Sequence, residues 1–119
     1  MSATLETYDL MVLTIEFTDK SGVKTRPALV LDVDSEKISY FRITTKYETK
    51  SDFMKSKYFE IENYEKAGLF KKSYIDTFKP YAINKSDFNI KQIGHLSVDD
   101  IEKLTEFIKN NHDRTPCDS

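Results

Sequence analysis

The sequence predicts a mainly β domain (α+β), in which a small, strongly curved sheet or partial barrel is followed by a C-terminal α-helix. Short stretches of alternating apolar and polar residues recur along most of the chain, separated by turn residues, a pattern typical of small sheets and barrels. Near the C-terminus, apolar residues instead recur at helical spacing. A length of 119 residues with 39% hydrophobic content fits one domain. We place this domain at residues 1–110 and expect a polar, disordered tail at residues 111–119.

The first three strands are predicted by alternation and by the turns between them. Asp9 to Phe17 has an apolar residue at every second position and forms strand one. Short polar residues and a glycine reverse the chain at residues 19–22. We expect the second strand from Pro27 to Val33 and, after a polar turn, the third strand from Lys37 to Thr45.

The segment after the third strand is predicted to be rich in loops. Lys46 to Lys57 is polar and charged, which indicates a flexible surface loop. Short strands are expected at residues 57–61 and 73–78, and the second of them should stop before Pro80. Two further apolar pieces, at residues 81–83 and 90–93, flank a polar turn.

One amphipathic helix is predicted from Ser97 to Asn110. Ser97 and Asp100 have the spacing of a capping box, in which side chains satisfy the backbone groups at the start of a helix. The apolar residues that follow at helical spacing are Val98, Ile101, Leu104 and Ile108. We expect this apolar face to pack on the sheet.

Composition excludes several classes of protein. No run of about 18 apolar residues is present to span a bilayer, and the first residues lack the layout of a signal peptide. We therefore expect a cytoplasmic protein without membrane contacts. Cys117 is the single cysteine, which excludes a disulfide framework and a cysteine-based metal site. We expect neither a metal nor a cofactor.

Charge is distributed unevenly along the chain. The net charge of −2 argues against the broad basic surface of a non-specific nucleic-acid binder. Residues 42–79 nevertheless hold nine Lys or Arg and six Asp or Glu, a net charge of +3. Such a segment could line a local groove for a polyanion, whereas scattered surface lysines give the same count without any site. Charge alone leaves both interpretations open.

Three segments resemble the MazF/PemK family of toxin endoribonucleases. The first is FTDKSGVKTRPALVL at Phe17 to Leu31, the second is GLFKKSYI at Gly68 to Ile75, and the third is INKSDFNIKQIGHLS at Ile83 to Ser97. Their order and spacing are similar to the family over roughly residues 9–108. The resemblance implies an SH3-like barrel with a C-terminal helix.

The resemblance also implies a catalytic pair, which matches Arg26 before the proline of RPALVL and Thr44 at the end of the next strand. The family reaction is metal-independent: the ribose 2′-hydroxyl of single-stranded RNA attacks the adjacent phosphate and leaves a 2′,3′-cyclic phosphate and a 5′-hydroxyl. A planar guanidinium suits the charge that grows on the phosphorane oxygens. Since Pro27 favours an extended residue before it, we expect Arg26 at the mouth of the second strand.

Residue type alone gives these candidates ordinary explanations. Arg26 beside a turn could be a solvated charge, worth roughly 0 to 1 kcal/mol in an ion pair, and Thr44 suits a strand because it is β-branched. Further candidates for binding RNA phosphates, each equally explicable as a surface side chain, are Lys46, Ser73 and Lys79. Three aromatic residues either stack RNA bases or pack in the core: Tyr40, Phe41 and Tyr74.

Partners follow from the same resemblance. It implies a homodimer and a cognate antitoxin protein, whose acidic segment covers the basic residues between positions 42 and 79. The presence of both Arg26 and Thr44 favours the ribonuclease. An alternative is a non-catalytic SH3-like barrel that acts as a protein- or nucleic-acid-binding module. Three departures from residues frequent in the family leave room for it: Tyr81, Ala82 and His95.

Overall fold

A computed structural model of the protein describes residues 5–16, 23–87 and 89–113. The strands and helices in these ranges are β1 (Asp9–Glu16), β2 (Val23–Val33), β3 (Lys37–Thr44), α1 (Asp52–Lys55), β4 (Tyr58–Glu60), β5 (Tyr74–Asn84), β6 (Asn89–His95) and α2 (Val98–Asp113). A 3-10 turn at Lys85–Asp87 joins β5 to β6.

The strands form a single sheet in the order β4-β5-β3-β2-β1-β6. Each neighbouring pair is antiparallel. β4 and β6 lie at the two edges, so the sheet does not close into a full barrel. The predicted mainly β class, a curved sheet or partial barrel with a C-terminal helix, is confirmed.

Side chains on the two faces of the sheet form two separate cores, because successive residues of a strand point to opposite faces. In β2, Leu29 belongs to the first core, whereas Ala28 and Val30 belong to the second. α2 covers the first core and contributes the fully buried Leu104 to it. The second core includes Leu13 and lies on the face of the sheet that carries the cleft described below.

The start of α2 agrees with the prediction. The backbone N–H of Asp100 donates to Ser97 Oγ at 3.1 Å, which makes Ser97 the N-cap. The fully buried Asp100 carboxylate accepts from the backbone N–H groups of Glu62 and Asn63, at 3.2 and 2.9 Å. This carboxylate therefore fastens the helix to the segment that follows β4.

Two details of α2 correct the prediction. Val98 is 70% exposed, because it is the first residue of the helix and the packed face begins one turn later, at Ile101. The helix continues past the predicted end to Asp113, since no glycine or proline interrupts it there. Residues 114–119 lie outside the described ranges. Neither helix within those ranges is long and apolar enough to span a membrane.

The second strand begins earlier than predicted, because the prediction placed its start at Pro27. β2 starts at Val23, and its pairing with β3 starts only at Ala28. The missing N–H of Pro27 therefore removes no donor from the β2–β3 ladder. Arg26 consequently lies inside the β1–β2 ladder, opposite Leu13, and not at the mouth of a strand.

Pro80 does not end its strand, because it lies in a wide bulge of β5. Arg42 of β3 pairs with Asp76, whereas Tyr40, two residues earlier, pairs with Tyr81. The β5 residues between these two pairs are left out of the ladder, so a proline among them costs no ladder hydrogen bond.

The predicted surface loop at residues 46–57 contains the short helix α1. Ser51 Oγ caps it by accepting from the Met54 N–H at 3.2 Å. The ring of Tyr47 stacks on that of Tyr74 with a centroid distance of 4.4 Å, so the segment contacts β5. The predicted turn at residues 19–22 lies outside the described residues.

Candidate functional site

A cleft of about 440 Å³ lies on the face of the sheet opposite α2. Its described lining consists of Leu13, Arg26, Pro27, Tyr40, Arg42, Ile43, Thr44, Lys50, Tyr58, Asp76 and Tyr81. Both residues of the predicted catalytic pair, Arg26 and Thr44, are in this lining.

Strand register explains why Arg26 and Thr44 share one cleft. Ala28 of β2 pairs with Arg42 of β3, and side chains two residues apart in a strand point to the same face. Arg26 therefore lies on the face of Ala28, and Thr44 lies on the face of Arg42. If the antiparallel register were extended two residues beyond the first pair of the ladder, Arg26 would stand opposite Thr44.

Thr44 is held by the backbone that follows it. It is the last residue of β3, and its Oγ1 accepts from the backbone N–H of Lys46 at 3.0 Å. A hydroxyl that accepts one hydrogen bond keeps its own hydrogen for donation. Thr44 can therefore act as a donor to a ligand in the cleft, and Lys46 contributes to the site through its main chain.

Arg42 is a second guanidinium in the cleft, which the sequence analysis missed as a site residue. Its Nη2 lies 3.6 Å from Oδ2 of Asp76, whose side chain is only 6% exposed. Its Cζ lies 4.8 Å from the ring centroid of Tyr81. The other Asp76 oxygen, Oδ1, accepts from the backbone N–H of Phe78 at 3.0 Å. A carboxylate and an aromatic ring thus orient Arg42 from two sides.

A sequence signal for Arg42 existed, because it precedes Thr44 by two residues in the predicted third strand. That spacing places both side chains on one face. Its partner Asp76 comes from a distant strand, so the strand pairing was needed to see how Arg42 is held.

Three tyrosines, Tyr40, Tyr58 and Tyr81, add hydroxyl groups to the cleft. Burial raises the pKa of Tyr40 above its usual value, and burial together with the negative charge of Asp76 raises the pKa of Tyr58. Both phenols therefore stay protonated at neutral pH and can donate hydrogen bonds. Tyr40 also stacks on Tyr81, with ring centroids 5.9 Å apart.

The predicted phosphate-binding residues lie outside the cleft lining. Ser73 is buried, and its hydroxyl donates to the Lys71 carbonyl at 2.8 Å, so it is not a surface serine. Lys79 is exposed, and its Nζ lies 5.2 Å from the Tyr81 ring centroid at the edge of the cleft. All three aromatic candidates, Tyr40, Phe41 and Tyr74, are buried, and of these Tyr40 is in the cleft lining.

The charges of the cleft favour an anionic ligand. Its described lining includes three cationic residues, Arg26, Arg42 and Lys50, against the single carboxylate of Asp76. Guanidinium groups bind phosphate oxygens through parallel hydrogen bonds. Among the described residues, no group of three or more His, Cys, Asp or Glu side chains is arranged to hold a metal ion.

Comparison with known proteins adds no family to these observations. A scan against protein-family models found no match, and a search of curated proteins also found none. The three sequence segments and the geometry of the cleft are therefore the grounds for proposing a function.

Proposed function

We propose that the protein is a toxin endoribonuclease of MazF/PemK type, which cleaves single-stranded RNA sequence-selectively and without a metal. The observation that carries the proposal is the meeting of Arg26 and Thr44 in one cationic cleft. They are also the residues that match the catalytic pair of the family that the sequence resembles. In that cleft the Arg26 guanidinium and the Thr44 hydroxyl can both donate hydrogen bonds to one ligand.

The cleft residues suit the chemistry of 2′-hydroxyl attack. The ribose 2′-oxygen forms a bond to phosphorus while the bond from phosphorus to O5′ breaks. The proton lost by the 2′-hydroxyl is balanced by the proton that the O5′ leaving group gains. Negative charge grows on the non-bridging oxygens in between, and donors preorganised around them stabilise it.

Each donor has a separate role in this proposal. Arg26 supplies a fork of two N–H groups to the phosphorane, and Thr44 adds its hydroxyl. A guanidinium is a poor base in water, so Arg26 acts by electrostatic stabilisation first. Arg42, held by Asp76, provides a second guanidinium, and the neutral phenol of Tyr58 provides a further donor.

The partners are proposed from the family resemblance. A second copy in a homodimer would deepen the open cleft, through an isologous interface, and a monomeric mass at micromolar concentration would contradict this. A cognate antitoxin would place an acidic segment over the basic residues between positions 42 and 79. Its affinity should then fall when the cations there are neutralised, at Arg42, Lys46, Lys50 and Lys57.

Cleavage in the presence of EDTA tests the function directly. Purified protein is incubated with a long RNA, and new 5′-hydroxyl ends are mapped. We expect discrete cuts, each abolished when the nucleotide before the scissile phosphate carries 2′-deoxyribose, because the nucleophile is then missing. Folded protein that cuts none of a diverse set of RNAs would reject the ribonuclease and favour the non-catalytic binding module.

A variant of Asp76 tests the proposed role of Arg42. Asp76→Asn keeps an oxygen that can accept from the Phe78 N–H but removes the charge that orients Arg42. We expect kcat for a mapped RNA to fall about ten- to 100-fold, because the guanidinium is no longer held in place. KM should stay equal or fall, since the cleft becomes more positive.

The matched control is Asp32→Asn, which makes the same charge change at an exposed β2 residue outside the described cleft lining. This control should leave kcat within about twofold of wild type. A raised KM with unchanged kcat in Asp76→Asn would show that Asp76 does not position a catalytic group.

A further inference from the structure

Two phenylalanines lie exposed beside each other near the cleft. Phe53 of α1 is 59% exposed and Phe78 of β5 is 49% exposed. Their ring centroids are 5.8 Å apart, and the rings meet edge to face at 80°. Two adjacent exposed rings make a small apolar patch, which is a candidate contact surface.

The backbone on both sides of the pair is fixed by hydrogen bonds. The Thr77 N–H donates to the Lys57 carbonyl at 3.0 Å, and the Thr77 hydroxyl donates to the same oxygen. The Phe78 N–H donates to Asp76 Oδ1 at 3.0 Å. The bulge of β5 therefore presents Phe78 in a defined position next to the chain segment that carries Phe53.

The pair adjoins the cleft through Asp76, which accepts from the Phe78 N–H, and lysine side chains lie near it. Phe78 lies between Asp76 and Tyr81 in β5, and both of these residues line the cleft. The Nζ of Lys57 lies 5.7 Å from the Phe53 ring centroid. The Nζ of Lys79, the residue that follows Phe78, lies 5.2 Å from the Tyr81 ring centroid. Aromatic rings and lysine side chains are thus interspersed along this edge of the cleft, which we call the rim. Its residues are Phe53, Lys57, Phe78, Lys79 and Tyr81.

We propose that Phe53 and Phe78 form a base-binding subsite, which stacks one nucleobase of single-stranded RNA beside the phosphate held in the cleft. The proposal rests on the proposed function, and it names the part of the substrate that this rim recognises. Aromatic side chains stack on any base because every base has a π-face, while neighbouring lysines follow the phosphates.

The size and charge of the subsite favour a base over a protein partner. A stable protein interface buries about 800 Å² on each side and has an apolar centre with few charges. Two rings bordered by lysines supply much less apolar surface than that. The same rings and charges match the alternation of bases and phosphates along an RNA strand.

Binding of two uncleavable decamers separates base contacts from phosphate contacts. The first is 2′-O-methyl decauridine, which lacks the nucleophilic hydroxyl and stacks little on itself. The second is an abasic decamer with the same backbone and the same number of phosphates. We expect wild type to bind decauridine about five- to 150-fold more tightly than the abasic decamer, the range measured for stacking one base.

The Phe53→Ala/Phe78→Ala variant should lose most of this preference and bind the abasic decamer as wild type does. Phe53→Leu/Phe78→Leu should lose it as well, because leucine keeps the apolar character but has no π-face. Phe70→Ala is the control, since Phe70 is 98% exposed and is not part of the pair. It should retain the preference.

Two results would overturn the subsite. The first is a double variant that melts at the wild-type temperature and still prefers decauridine to the abasic decamer as strongly as wild type does. The other is a change in oligomeric mass in these variants without a change in base preference, which would assign the rings to a protein interface. Failure of the proposed function would be seen in a separate experiment, as the absence of cleavage of natural RNA. The decamers cannot be cleaved, so their comparison reports base binding whether or not the protein is a ribonuclease.

Discussion

Arg26→Ala should lower the turnover of RNA cleavage by about 10²- to 10³-fold, the loss that follows removal of one transition-state donor. The side chain is exposed at the cleft, so its removal leaves no buried cavity, and the free energy of unfolding should change by less than about 0.5 kcal/mol. Single-turnover cleavage of one mapped RNA measures the loss, with a thermal melt of each variant.

Arg26→Lys separates geometry from charge. Lysine keeps the positive charge but has no planar fork, so it cannot donate two parallel hydrogen bonds to the phosphorane. We expect most activity to be lost, and Thr44→Ala to lose a similar or smaller factor. Cleavage by Arg26→Lys within about threefold of wild type would mean that Arg26 supplies only general positive charge.

Lys109→Ala is a matched control for the loss of charge. Lys109 is an exposed cation of α2, the helix that packs on the opposite face of the sheet from the cleft. Its removal changes the net charge of the protein as Arg26→Ala does. Turnover should stay within about twofold of wild type, because long-range interactions between exposed charges are screened at physiological salt.

Secondary structure was predictable in segments whose local pattern of apolar, polar and capping residues matches their surroundings in the fold. Alternation in β1 and β3 and the capping residues of α2 identified these elements within a few residues. The two prolines gave wrong strand boundaries, because a proline is tolerated inside a strand wherever the neighbouring ladder has ended or bulged. The β2–β3 ladder ends at Ala28, and the β3–β5 ladder is interrupted after Asp76. Both positions are set by the strand on the other side of the ladder, which the sequence around each proline does not reveal.

The candidate site was predictable in part. Arg26 and Thr44 came from the resemblance, and the strand register accounts for their meeting. Ser73 was taken for a surface residue because of its polarity, but it is buried and its hydroxyl donates to the Lys71 carbonyl. Phe53 and Phe78 were missed because they lie far apart in sequence and approach each other only in the folded chain.

A close contact between two glycines should make the fold sensitive to added methyl groups. A Cβ on Gly68 would overlap the carbonyl oxygen of Ile93, and a Cβ on Gly94 would overlap that of Ala67. Gly68 also has a φ of +91°, which side chains with a Cβ rarely adopt. The contact joins the segment after β4 to β6, beside the start of α2.

Gly68→Ala should therefore lower the free energy of unfolding by about 3 to 5 kcal/mol, the sum of overpacking and left-handed strain, and Gly94→Ala by about 2 to 4 kcal/mol. The double variant should cost about 1 to 2 kcal/mol less than the sum of the singles, because the first methyl already pushes apart the two segments that the second would contact. Urea denaturation measures all three values, with Lys66→Ala, an exposed residue of the same segment, as the control within about 0.5 kcal/mol of wild type. A loss below about 1 kcal/mol in either single variant, or strict additivity in the double variant, would show that the two segments do not approach as closely as the structure places them.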